Sequence, residues 1–136
     1  MYAAGRAHPL REPSRAILAL AQSDERFFTN AEVFQELLHR YRSIGLWGAR
    51  VQHYTDFMTL MQGRIESIVA DDMEVAARLA QSYPELASRD LVHLAVSLRM
   101  GAQYIVTADA GFDDVREIER LDPAAVDDWR SRVLAV

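Results

Sequence analysis

Cysteine is missing from this chain, which excludes disulfides, thiolate metal ligands and a cysteine nucleophile. Lysine is missing too: all 15 basic residues are arginines. Phosphate contacts must therefore come from arginine, backbone amides or a bound cation; the bias itself reads most simply as the mark of a GC-rich genome. No apolar run approaches the roughly 20 residues that span a bilayer, and the N-terminus carries no charged-then-apolar export signal. The expectation is a cytoplasmic protein with no membrane association. A positive balance is also lacking. The net charge of −5 argues against broad electrostatic binding of nucleic acid, and suits nucleic-acid chemistry only where cations meet the acids first. Among motifs, there is no G-x-S-x-G elbow, no G-x-x-x-x-G-K-[ST] loop, no G-x-G-x-x-G and no H-E-x-x-H. The four histidines, at 8, 39, 53 and 93, lack zinc-ligand spacing.

What remains is 136 residues, half of them hydrophobic, enough for one globular domain burying about two-thirds of its unfolded surface. Strand candidates alternate with helical stripes, which reads as one α/β domain with a mostly parallel sheet. Met1–Pro9 is polar and irregular. Pro13 suits a helical first turn, and the helix continues through Ile17, Leu18 and Ala21. Arg26–Thr29 is a short strand candidate. Thr29-Asn30-Ala31-Glu32 fits a capping box, with Thr29 as N-cap and Glu32 reaching back to its amide. The next helix carries Val33, Phe34, Leu37, Leu38 and Tyr41 as its apolar stripe.

Gly45–Gly48 breaks that pattern. A helix from about Ala49 to Met61 follows, with Val51, Tyr54, Met58 and Met61 on one face, expected as core more than as an oligomer contact. Ile65–Val69 is a second strand candidate. Asp71 reads as the cap of a helix through Ser82, stopped by Tyr83-Pro84. Ile118–Leu121 reads as a last, edge strand.

The chain is organised around Ser88–Val115. Leu91, Leu94, Ala95 and Leu98 keep helical spacing, and Val92 and Val96 make the opposite side apolar, so this helix should be buried on most of its circumference. Gly101 stands where a helix end wants positive φ. Gln103–Thr107 is an apolar run of the kind a parallel sheet buries on both faces. Asp90 falls in the first turn of the helix and Asp109 just past the strand. Ligands in open α/β sheets bind at such carboxyl ends. On position alone, Asp90 is equally an ordinary helix-start acid and Asp109 a loop acid. Asp113 and Asp114 equally cap a short helix towards Glu117. Glu36 reads as a solvated surface acid bordering an apolar stripe. His93, one turn beyond Asp90, reads as a packed or hydrogen-bonded helix residue rather than a ligand.

The pattern D-x-x-H-x-A, then Gly-Ala, an apolar strand and T-A-D-A-G-F-D resembles the PIN-domain family, most of all its VapC-like ribonuclease toxins of toxin–antitoxin pairs. The resemblance covers Tyr2 to Pro123 and implies a three-layer α/β/α fold with a mostly parallel central sheet. It also implies metal-dependent endoribonuclease activity with Mg²⁺ or Mn²⁺, a homodimer, an RNA substrate and a cognate antitoxin whose C-terminal segment crosses the acidic groove. Q-E-L-L matches the family's helix acid at Glu36. Glu36, Asp90 and Asp109 then become the catalytic, metal-holding set, with Thr107 and Asp113 in support. A hard cation suits such a set, because it relieves the mutual repulsion of the carboxylates. Asp90 is expected to stay ionised at the positive end of its helix.

The family also opens with a strand carrying a first metal-binding Asp, whereas Met1-Tyr2-Ala3-Ala4-Gly5 is similar to the segment after that strand. The sequence-based expectation is therefore a single PIN-like domain over 1–136, truncated at its N-terminus. The alternative function is a catalytically inactive PIN relic that only binds an antitoxin or RNA.

Overall fold

Helices supply most of the ordered backbone, and short parallel strands set their directions. A computed structural model describes residues 1–5 and 7–135. Helix α1 covers Arg11–Ser23, strand β1 Thr29–Asn30, α2 Ala31–Ser43 and α3 Trp47–Leu60. Strand β2 is Ile65–Glu66, α4 is Ala70–Ser82 and α5 is Ser88–Arg99. Strand β3 is Tyr104–Val106, β4 is Glu119–Leu121 and α6 is Val126–Leu134. Among the described residues the strands form two parallel pairs. In one, Thr29 stands opposite Ile65 and Asn30 opposite Glu66. In the other, Tyr104, Ile105 and Val106 face Glu119, Arg120 and Leu121.

The three-layer α/β/α class expected from the sequence is borne out, and β3 makes its layering visible. Successive strand side chains point to opposite faces. Ile105 packs with Leu91, Leu94, Ala95 and Phe112 in the core built by α4 and α5. Tyr104 and Val106 pack with Ile17 and Leu20 of α1 and Trp129 of α6. The strand is thus covered on both sides by helices. The buried character read for α5 also holds: Leu94 and Val96 are 0% exposed. Full burial of such a side chain stabilises the fold by about 1.5–3 kcal/mol. Gly101, with φ of 72°, ends α5 in the left-handed conformation that a side chain would strain.

Several local readings are corrected. The N-cap of α2 is Asn30, whose Oδ1 accepts from the Val33 amide at 3.2 Å; with the cap there, the third helical position is Val33 rather than Glu32, so no capping box forms. Asn is at least as good a cap as Thr, and the chain uses it one residue later. Helix α4 starts at Ala70, and the acid serving its entry is Asp72, not Asp71: Asp72 Oδ2 accepts from the Val69 amide at 2.9 Å. Helix α3 contributes no buried residue. Its Tyr54 and Phe57 lie against Phe34 of α2, Met61 just beyond it is buried, and Val51 and Met58 are exposed. Its face is split between a rim contact and open surface.

Arginines stitch the irregular segments. Arg64, just before β2, donates through Nη1 to the carbonyls of Ala21, Asp24 and Phe27 and through Nη2 to that of Leu60. It thereby fixes the loop that delivers the chain to Asn30. The N-terminal turn Tyr2–Ala4 is held by Arg15 on the Ala3 carbonyl and by Arg50 on the Ala4 carbonyl. No helix among the described residues is long and apolar enough to cross a membrane.

Candidate metal centre

Three elements bring acids towards the carboxyl ends of the strands. β1 runs directly into α2, which carries Glu36 one and a half turns from its start. Helix α5 presents Asp90 in its first turn. The backbone leaving β3 presents Asp109, which caps the 3₁₀ turn Ala110–Asp114 by accepting from the Gly111 amide at 2.8 Å. Thr107 reinforces that corner, its Oγ1 accepting from the Asp109 amide at 3.1 Å. Gly111 leaves room for the Asp109 carboxylate. A Cβ at this position would stand 3.0 Å from Asp109 Oδ1 and 3.4 Å from Leu86.

Asp90 sits at the electrostatic centre. Burial raises its carboxyl above the ordinary value, the charge of Asp109 adds to the rise, and Glu36 adds a little more. His93 and Arg89 oppose this without reversing it. The sequence expectation is an ionised Asp90 at the positive end of its helix; burial and two neighbouring carboxylates work against that pull. Among the described residues no hydrogen-bond donor contributes to holding the Asp90 charge. A half-buried carboxylate with like charges beside it and no donor is in electrostatic deficit. A cation is what makes up such a deficit.

Glu36 is held rather than free. Its Oε1 lies 3.0 Å from His93 Nε2 and 3.6 Å from Arg89 Nε. His93 Nδ1 lies 3.0 Å from Asn30 Nδ2. Both ring nitrogens are thus engaged, in keeping with the hydrogen-bonded role read from its position. Asp113 points elsewhere: Arg120 takes both of its oxygens, at 2.7 Å and 3.2 Å, and holds its pKa low. It does not begin a helix. Asn30, Arg89 and Arg120 were not singled out from the sequence, although D-x-x-H on a helix placed His93 one turn above Asp90.

The donor set can be tested against a metal ion. Among the described residues, no three carboxylate or imidazole groups stand close enough to grip one ion together. Magnesium does not need that. It keeps several waters and uses one or two carboxylates plus substrate phosphate oxygens. Asp90, in charge deficit, and Asp109, whose charge bears on it, are the oxygen donors that fit such a water-rich hard cation.

Fold and site together define an α/β/α domain with acids gathered at the carboxyl ends of parallel strands. The chain belongs to the PIN-domain family, whose model matches residues 1–118. Its relatives include ribonuclease VapC23 of Mycobacterium tuberculosis, 38% identical over 112 residues, which are 80% of this chain and 86% of that protein. Ribonuclease VapC13 of the same species is 34% identical over 122 residues, 89% of this chain and 92% of that protein. Ribonuclease VapC7, also of that species, is 33% identical over 132 residues, 92% of this chain and 87% of that protein. No solved structure matches the chain significantly. PIN-domain nucleases of the VapC kind are generally dependent on a divalent metal.

Proposed function

We propose that this chain is a metal-dependent endoribonuclease acting as the toxin of a toxin–antitoxin pair. One observation carries the reading: Asp90 is a half-buried carboxylate with no donor among the described residues, its pKa raised by burial and by the charge of Asp109, at the carboxyl ends of the strands. Asp90 and Asp109 would hold Mg²⁺ or Mn²⁺, and Glu36 would complete the acidic set. When bound, such a cation lowers the pKa of a coordinated water and neutralises charge gathering on phosphorus and the leaving oxygen. The chain's own residues supply the rest. Thr107 and Gly111 fix the corner on which Asp109 sits. Arg89, exposed beside Glu36, is placed to meet a backbone phosphate. Asp113 acts in support only by orienting Arg120.

The reading includes RNA as substrate, a cognate antitoxin protein laid over the acidic groove, a homodimer and a cytoplasmic setting. The kinship with proteins named ribonucleases supports it. A second reading, an inactive relic that only binds antitoxin or RNA, is favoured by a single fact: no three ligand groups close on one ion among the described residues. Incubating the purified chain with RNA and Mn²⁺, with and without chelator, separates the two. Chelator-sensitive internal cleavage supports the enzyme. RNA bound but uncut by a folded chain at saturating Mn²⁺ gives first place to the relic.

A further inference from the structure

We propose that His93 is a positioning residue of the acidic site, held in one tautomer by Asn30 so that its Nε2–H orients the Glu36 carboxylate. The inference rests on reading Glu36, Asp90 and Asp109 as a cation site. Its geometry is a chain of polar contacts that crosses from α2 to α5 and back. The Val33 amide donates to Asn30 Oδ1 at 3.2 Å, which commits that oxygen to capping α2. The other end of the same amide, Nδ2, therefore faces His93 Nδ1 at 3.0 Å. Nδ2 carries only hydrogens, so Nδ1 must offer its lone pair. The ring proton then resides on Nε2, which lies 3.0 Å from Glu36 Oε1.

The opposite tautomer would fail at both ends. It would set N–H against N–H at Asn30 and lone pair against lone pair at Glu36. Flipping the Asn30 amide would rescue the first contact only by abandoning the helix cap. Asn30 is buried, and the His93 side chain is only 14% exposed, so water does not readily replace either partner. The backbone start of α2 thus dictates which nitrogen of a residue on α5 carries the proton.

The consequence is mechanical. His93 is clamped between two residues of α2, its cap and Glu36 six positions later. Asp90 lies one turn before His93 on α5. Fixing His93 against both therefore fixes the offset between Glu36 and Asp90, the acids supplied by different helices. Arg89 also reaches Glu36 Oε1, at 3.6 Å, but from a largely exposed side chain, so it attracts without orienting. With both nitrogens engaged, His93 has no free lone pair for a metal. Groups that orient ligating carboxylates typically matter by 10–100-fold in metal affinity when removed.

Two measurements test this. Long-range proton–nitrogen NMR of the metal-free wild type should show His93 Nδ1 unprotonated and Nε2 protonated, and Asn30→Ser, which keeps a cap but whose shorter side chain withdraws the amide donor from Nδ1, should mix the tautomers. Calorimetric titration with Mn²⁺ should give about 10–100-fold weaker binding for His93→Leu and near wild-type binding for His93→Gln, whose amide keeps a donor near the Nε2 position. A protonated Nδ1 in the wild type, or equal Mn²⁺ affinity for the Leu and Gln variants, overturns the role given to His93. If His93→Leu does not fold, Asn30→Ser decides: weakened Mn²⁺ binding supports the proposal and unchanged binding overturns it. A wild type that binds no Mn²⁺ removes the cation reading and this role together. Mn²⁺ binding with the wrong tautomer removes this role alone.

Discussion

Arg120 holds Asp113 at 2.7 Å, and so keeps one of the acids of the D-A-G-F-D stretch out of the acidic set. The guanidinium also donates to the Thr107 carbonyl at 3.1 Å. Arg120 therefore ties β4 to the corner that carries Asp109, and Asp113 serves as its counter-charge.

This pairing separates the roles of neighbouring acids. Asp113→Asn should leave Mn²⁺-dependent RNA cleavage within about threefold of wild type. The Asp113 side of this pair is open to solvent, and water screens and replaces such a partner readily. Asp109→Asn should abolish cleavage. Equal loss in the two variants, measured as initial rates on one RNA, would place Asp113 among the acting residues.

Gly111 makes a prediction about space. Gly111→Ala leaves the backbone unstrained but puts a Cβ 3.0 Å from Asp109 Oδ1. The Asp109 carboxylate must give by a few tenths of an ångström, while the rest of the fold has little to repack. Mn²⁺ affinity should fall about tenfold or more, on the scale by which displaced supports weaken metal sites, and Tm should change by only a few degrees. Unchanged Mn²⁺ affinity would mean that the orientation of Asp109 is immaterial.

The ion pair of Asp72 and Arg99 makes a prediction about stability. Asp72 is 1% exposed and accepts from Arg99 Nε at 2.8 Å while serving the Val69 amide. Removing the arginine leaves the buried Asp72 carboxylate with the Val69 amide as its remaining partner. Arg99→Met should therefore lower urea stability, by less than a fully buried pair would lose because the Arg99 side chain is 34% exposed. The Arg99 hydrogen bond, followed by the Val69 amide, holds the Asp72 pKa below its ordinary 3.8 against the opposing effect of burial. A depressed folded-state pKa gives stability that is present above 3.8 and lost as pH falls through the folded value. Unfolding of the wild type should therefore show an acid-labile component below pH 3.8 that Arg99→Met lacks.

Much of this was legible in the chain because periodicity is a local signal. Helix α5 announced itself through Leu91, Leu94, Ala95 and Leu98, and Gly101 marked its end. The positions of Asp90 and Asp109 follow from where a helix starts and a strand stops, but position alone leaves both as ordinary acids, and only the family resemblance singles them out. The cap of α2 falls one residue later than the sequence pattern suggests, since Thr29 and Asn30 both cap well and nothing local separates them. The fate of α3 was unreadable, because an apolar stripe does not say whether another element lies over it. Contacts such as Arg64 on four carbonyls, Arg120 on Asp113 or His93 between Asn30 and Glu36 join distant residues by single side chains. Such contacts leave no repeating trace in sequence.

Asp90 also sets a pH dependence opposite in sign to that of Asp72. Its folded-state pKa lies above the ordinary 3.8, raised first by burial and then by Asp109. A raised carboxyl pKa destabilises the metal-free fold above that value, and the penalty vanishes as pH falls to 3.8 and below. Metal-free Asp90→Asn should therefore melt higher than wild type at neutral pH, with the two converging in acid. A variant less stable at every pH would contradict the charge deficit assigned to Asp90.

The most direct measurement is calorimetric titration of Mn²⁺ into wild type and Asp90→Asn at neutral pH, with thermal unfolding followed at each end point. Wild type should bind Mn²⁺ and gain thermal stability from it, since a ligand that binds only the folded state stabilises it by mass action, about 2.7 kcal/mol at 100 times Kd. Asp90→Asn should neither bind nor gain. Equal binding by both, or none by a folded wild type, would contradict a cation site centred on Asp90.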